Sequence, residues 1–184
     1  MIQNDRLPCV AVSSSARPVY AVRPGGLERL QSELSSPQYL FLSACGFSGK
    51  SQELLCLPAG DGISCAVLGL GDDRSPHAFG DLAYRLPAGE WRIEPGDFDM
   101  DAAVLGFCLG AYRYREFKAP PREPATLVAG AEHDRAMSHA RSAYLVRDLV
   151  NAPANLLGPS ELADAAMRLA EGYGARALRV AGDA

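Results

Sequence analysis

The run Gly46-Phe47-Ser48-Gly49-Lys50-Ser51 holds the first residues whose types and spacing could do chemistry, because it ends like a phosphate-binding loop. Such a loop cradles phosphate on successive backbone N–H groups, and it needs a glycine at position 44 and a helix after the serine. Position 44 is Ala44, and the strand-like Leu54-Leu55-Cys56-Leu57 with Pro58 leaves no room for that helix. The same segment misses a nucleophile elbow, since its last position is Lys50. Gly69-Leu70-Gly71 follows an apolar run and precedes a helical one, as a dinucleotide fingerprint would, but Arg74 occupies the third glycine position. A tight strand-to-helix turn is the better reading.

Metal chemistry fares no better. Asp97, Asp99 and Asp101 alternate like the start of a calcium loop, yet Ala102 stands where the glycine is required and Cys108 where the bidentate glutamate should be. Helix N-capping and first-turn charge account for them. His77, His133 and His139 lack the HExxH spacing, and no carboxylate cluster surrounds them. The five cysteines (Cys9, Cys45, Cys56, Cys65, Cys108) show no CxxC pair and sit in apolar runs, which predicts buried, reduced thiols. No catalytic, cofactor-binding or metal-ligating residue is assigned.

The composition agrees with a folded domain and little else. The chain of 184 residues is 48% hydrophobic and 22% charged, enough for one ordinary domain or one plus a piece. Net charge is −4, and Lys50 and Lys118 are the only lysines, which argues against nucleic acid and anionic membranes as partners. Arg113-Tyr114-Arg115 reads as a solvated helix end. The N-terminus lacks a signal-peptide pattern, and the apolar stretch from Ala102 to Tyr112 is far short of the ~20 residues a membrane span needs. A cytoplasmic location is expected.

The elements that would position any site alternate in type. Short apolar runs at Leu7–Val12, Pro18–Val22 and Thr126–Ala129 predict strands, as does Glu90–Ile93. Glu53–Leu57 and Ile63–Leu70 flank Pro58-Ala59-Gly60-Asp61-Gly62 and predict a hairpin. Helices are expected at Gly26–Leu34, Pro76–Leu86, Asp101–Phe117 and Glu132–Val150, while Gln38–Ala44 could be strand or helix. The alternation predicts an α/β fold with a mixed sheet flanked by helices. From Leu145 onward, Leu145, Val146, Leu149 and Val150 appear on several sides of the last of these helices. A helix apolar all round expects to be covered all round, which implies a second partner; the alternative is a helix end plugged into its own core.

Arg147–Leu162, RDLVNAPANLLGPSEL, organises the chain. Pro153 and Pro159 each stop a helix arriving from upstream, Gly158 suits an N-cap, and Glu161 places a carboxylate in the first turn of the next helix. Asn-x-Pro-Ala-Asn followed by Gly-Pro-x-Glu-Leu, straight after a helix ending Arg-Asp-Leu-Val, resembles the leucyl aminopeptidase (cytosol aminopeptidase) family. The likeness runs from Arg141 to Gly182, with echoes at Gly46–Lys50, Glu53–Pro58 and Leu109–Tyr114. Ala152, where threonine is commoner, and Ser51-Gln52 depart from the family pattern without touching chemistry.

The resemblance implies an N-terminal domain similar to macro domains, joined by this junction to a catalytic domain. Family members assemble as hexamers and remove N-terminal residues from peptides with two divalent metals, manganese or zinc among them. Their ligands and catalytic lysines lie in motifs beyond the junction, so none is carried onto residues 1–184. The expected domains are 1–131, an N-terminal α/β domain; 132–151, a linker helix; and 152–184, the start of a truncated catalytic domain. Within the last, Pro159–Glu171 should be an amphipathic helix and Ala175–Val180 a strand, an opening α–β unit. This 184-residue piece should be catalytically inactive and bind no metal of its own. Its expected partners are its own catalytic domain and other copies of itself, the peptide being a substrate of the full-length enzyme. A competing reading stays open: a macro-like module that binds a nucleotide or ADP-ribose, with Gly69-Leu70-Gly71-Asp72 as the candidate loop.

Overall fold

The computed structural model describes residues 7–60 and 62–182. Asp61 of the expected hairpin turn, and residues 1–6 and 183–184 of the expected domains, lie outside the described residues. The α/β reading holds. Six strands form one sheet: β1 (Cys9–Val10), β2 (Arg17–Val22), β3 (Leu54–Ala59), β4 (Gly62–Gly69), β5 (Glu90–Ile93) and β6 (Thr126–Val128). Their order across the sheet is β1-β6-β5-β2-β4-β3. Every neighbouring pair is parallel except the β3–β4 hairpin, whose register runs from Leu54↔Leu68 to Ala59↔Gly62.

Strand β4, between β2 and β3, shows how the sheet builds two cores. Successive side chains point to opposite faces, so Ala66 and Leu68 enter one cluster while Cys65 and Val67 enter the other. The larger cluster holds Trp91, Leu127 and Phe107 and is closed by α3 (Leu82–Arg85), α4 (Met100–Ala111) and α5 (Asp134–Asn151). The smaller lies under α1 (Leu30–Glu33) and α2 (Ser36–Ala44), through Leu30, Leu34 and Leu42. The ambiguous stretch at Gln38–Ala44 is thus a helix. Gln38 decides it by reaching back to accept the Ser35 N–H at 3.0 Å, which satisfies an orphan donor of the first turn.

Several expected elements are shorter or broken, each for a local reason. The helix expected over Pro76–Leu86 is a 3₁₀ turn at Pro76–Phe79 followed by α3. Here α4 presses close: a Cβ on Gly106 would stand 1.8 Å from the Pro76 carbonyl oxygen, and one on Gly110 would stand 1.7 Å from that of Gly80. The helix expected at Gly26–Leu34 likewise splits into a 3₁₀ turn at Pro24–Arg29 and α1. Helix α4 ends at Ala111 rather than Phe117, because Tyr112 turns extended and the Arg113 guanidinium folds back onto the Gly110 and Tyr112 carbonyls. β1 keeps only the two residues that find partners on β6.

The tail is where expectation and structure part most clearly. α6 (Pro159–Gly172) starts where the sequence places it, with the Gly158 N–H donating to Glu161 Oε2 at 3.0 Å. Ala175–Val180 is not a strand but an exposed coil. A strand exists only where a neighbour takes its N–H and C=O groups, and no described strand lies beside this segment.

Candidate functional site

The loops that imitate nucleotide sites are occupied by the chain itself. In the Gly46–Ser51 segment the N–H groups of Ser48 and Lys50 donate to the Glu53 carboxylate at 2.9 and 3.0 Å, so the anion they hold is an internal one. Burial pushes the Glu53 carboxyl up, but these donors and the Ser48 hydroxyl outweigh it and hold it below the usual glutamate range. Gly69 and Gly71 pack against the same loop: a Cβ would meet the Lys50 carbonyl oxygen at 2.1 Å and the Ser51 nitrogen at 2.7 Å respectively. Their glycines serve backbone packing, as the tight-turn reading anticipates.

The acidic triplet separates in space by role. Asp99 caps α4, accepting the Ala102 N–H at 2.8 Å. Asp101 pairs with His133 Nδ1 at 2.8 Å and with Arg135 at 3.5 Å, and the His133 bond holds its carboxyl below the usual aspartate range. Asp97 lies 3.9 Å from the Arg23 Nε. His77 and His139 are exposed. Among the described residues no group of three or more His, Cys, Asp or Glu side chains is placed to hold a metal. Of the five cysteines expected to be buried thiols, Cys65 and Cys108 are buried, Cys9 and Cys56 are half-buried, and Cys45 is exposed, because it caps the end of α2 on the solvent side. Cys9 and Cys108 approach to 3.5 Å between sulfurs as free thiols.

What the structure does bring together is the junction. The end of α5 is clasped onto the end of α4, whose last carbonyls have no partner within their own helix. Tyr144 donates to the Cys108 carbonyl at 2.6 Å and Arg147 to the Leu109 carbonyl at 2.7 Å. Between them sits Asp148, a charged residue only 4% exposed, which accepts from the Tyr112 hydroxyl at 2.8 Å. Asn151 donates to the same hydroxyl at 3.1 Å, and the Tyr112 and Tyr144 rings meet edge-on at 5.1 Å. Burial, reinforced by the Asp148 carboxylate, pushes the Tyr112 hydroxyl up to about 12. Arg147, Asp148 and Asn151 of the Arg-Asp-Leu-Val-Asn signature therefore form a polar clasp centred on the buried Asp148. Sequence reasoning missed Asp148 and Tyr112 as a pair; the one available signal was the charged pair Arg147-Asp148 inside the otherwise apolar run Leu145–Val150.

The opposite side of the junction is uncovered. Val146 is 58% exposed and Val150 77%, so the all-round apolar end of α5 is covered on one side only. Leu156, Leu162, Leu169, Tyr173, Leu178 and Val180 along the tail are exposed as well, and α6 buries no residue.

Comparison with known proteins gives this arrangement a family. The model for the M17 aminopeptidase N-terminal domain matches residues 18–130. The chain belongs to the M17 aminopeptidase family. A probable cytosol aminopeptidase of Leifsonia xyli subsp. xyli is 36% identical, the match covering 70% of this chain and 30% of that protein. One from Corynebacterium diphtheriae is 34% identical over 66% of this chain and 29% of its own. The M17 chain described here thus spans about a third of the length of the curated relatives it matches. The cytosol aminopeptidase of Coxiella burnetii superposes over 91% of this chain and 38% of its own, with a TM-score of 0.80 at 26% identity. The bottromycin maturation enzyme BotP, solved in complex with Mn, shares the fold at a TM-score of 0.61 and 22% identity. No helix among the described residues of this M17 chain is long and apolar enough to cross a membrane.

Proposed function

We propose that this chain is the non-catalytic N-terminal domain and junction of a cytoplasmic, metal-dependent leucyl aminopeptidase, an enzyme that removes N-terminal residues from peptides. The observation that carries the reading is the one-sided junction: a buried clasp at Asp148 fixes α5 to the α/β domain, while Val146, Val150 and the α6 face stay apolar and open. Burying apolar surface is worth ~25 cal/mol per Å², so a face of this kind belongs against a second domain. On this reading residues 1–131 form the assembly and access domain, 132–151 the linker helix, and 152–184 the first part of the catalytic domain.

The two divalent metals, manganese or zinc, then belong to the remainder of the enzyme. Bound there, they would activate a water for attack on the peptide carbonyl and offset the negative charge that develops. This chain contributes the placement of that domain and the contacts by which copies assemble into a hexamer. A leucine-anilide assay with manganese or zinc tests the division of labour: the purified chain should show no turnover above metal-containing buffer. Sustained, chelator-sensitive hydrolysis by this chain would contradict it.

A further inference from the structure

Away from the junction, the sheet builds a crevice of its own. β2 and β5 are parallel neighbours, and the chain leaves them in opposite directions, from β2 towards β4 and β3 and from β5 towards β6. In open α/β sheets the loops part at such a switch point, outside the carboxyl ends of the strands, and leave room for a ligand. A cavity of about 460 Å³ lies at this point, lined by Arg23, Gly25, Gly26 and Arg29 after β2, Asp72 after β4 and Asp97 after β5.

Arg23 is the decisive residue. Its side chain is only 15% exposed, and its Nη1 donates to the Gly71 and Asp73 carbonyls at 2.8 and 3.0 Å, tying two loops together. Its Nε is buried without a hydrogen bond, the one such side-chain nitrogen or oxygen among the described residues; the Asp97 carboxylate pairs with it only at 3.9 Å, beyond hydrogen-bond reach. An orphaned buried donor is costly and calls for an explanation; an oxyanion in the crevice would supply the missing acceptor, in the planar geometry that guanidinium groups favour. Arg29 stands nearer solvent, held by the Pro95 carbonyl. Gly25 and Gly26 have open space where a Cβ would stand, so a ligand can approach their backbone. Asp72 and Asp97 are exposed on the rim, where they can accept from hydroxyl or ammonium groups. A cationic floor under an acidic rim selects an anion that also carries donors.

We propose that this crevice binds a small metabolite in which a carboxylate or phosphate lies beside ammonium or hydroxyl donors. A free amino acid and a mononucleotide are the two sources of that chemistry. The inference does not depend on the peptidase reading, since it is read by binding and not by turnover.

Amide NMR spectra of the 184-residue chain, titrated separately with L-leucine, adenosine monophosphate and inorganic phosphate, provide the test. Saturable shifts are expected at Arg23–Arg29, Asp72 and Asp97 with leucine or with the nucleotide, at a dissociation constant of about 1 mM or below. Saturation by leucine identifies a carboxylate ligand, and saturation by the nucleotide a phosphate one. Inorganic phosphate, which offers fewer donors to the rim, should bind more weakly than the better of the two. Arg29→Gln should weaken binding about tenfold while leaving the thermal midpoint unchanged. Arg23→Gln should abolish binding, and because Arg23 also ties loops, Arg29→Gln keeps the test decisive if that variant unfolds. Absence of saturable shifts with all three probes would overturn the proposal. So would equal binding of all three, or binding that Arg29→Gln leaves untouched.

Discussion

The body of the molecule and its tail both carry apolar helices, and the two reach opposite ends. Each contains a helix rich in apolar residues: α4 in the body is apolar nearly all round, and α6 in the tail is amphipathic. In α4 the residues Ala103, Val104, Phe107, Cys108 and Ala111 are buried, and its glycines admit backbone contact with the turn at Pro76–Phe79. In α6 no residue is buried, although its start is well capped. Local signals open a helix, but a partner must cover it. The difference between the two regions is the presence of that partner, which the sheet provides for α4 and nothing among the described residues provides for α6.

That contrast can be broken most severely in the body. Trp91→Ala removes a side chain with no exposure and the hydrogen bond from its Nε1 to the Pro87 carbonyl. It should cost about 4 kcal/mol in urea unfolding, in the range for large aromatic truncations. Gly110→Ala should cost about 3 kcal/mol, because the added methyl runs into the Gly80 backbone rather than a side chain that could swing away. A loss below about 0.5 kcal/mol for either would mean that the body is not packed as described.

The clasp gives an intermediate effect. Tyr112→Phe leaves the buried Asp148 without that donor and should cost about 2 kcal/mol. Its titration has a definite sign. Folding raises the Tyr112 hydroxyl from 10.0 to about 12, so its neutral form is favoured in the native state. The stability it contributes is whole below pH 10 and is lost as the pH rises through about 12. Burial raises Tyr144 in the same direction. Wild-type protein should therefore lose stability steeply above pH 10, and Tyr112→Phe should lose less; parallel profiles would remove the clasp from the account. At the acid end, Asp101 is held low by His133, so its contribution is present above the ordinary aspartate range and fades as the pH falls below it.

How far the sequence foretold each region follows from the same contrast. Strand positions in the body were legible because alternation and turn residues are local: Leu54–Ala59 and Gly62–Gly69 fall close to the expected hairpin. Caps were legible for the same reason, at Asp99 and at Gly158 with Glu161. Helix ends set by tertiary contact were not. Nothing in Tyr112–Phe117 forbids a helix, and α4 stops there as Tyr112 turns away to reach Asp148 across 36 positions. Ala175–Val180 has strand-like residues but no neighbour to pair with. The crevice at Arg23 was invisible for a related reason, since only the strand order brings Arg23 and Asp97 to one place.

The tail should respond least. Removing residues 153–184 should shift the unfolding free energy of the body by under about 0.5 kcal/mol, as for surface changes away from packed features. Val150→Glu should do the same in this chain, since Val150 is 77% exposed. In a protein that includes the covering domain, the same substitution should be far more costly, because it would place an unpaired charge in an apolar interface. Equal effects in the two settings would mean that no domain covers this face.

Hydrogen exchange read by mass spectrometry on the 184-residue chain tests the central claim most directly. Opening of a packed core approaches the global unfolding free energy, whereas unsupported segments exchange at little cost. Slow exchange is expected across β2, β4 and α4 and at the clasped end of α5, and fast exchange through Ala175–Val180 with α6 only weakly protected. Protection of Ala175–Val180 and α6 equal to that of α4 in the monomer would contradict it, because the tail would then have found its partner within this chain.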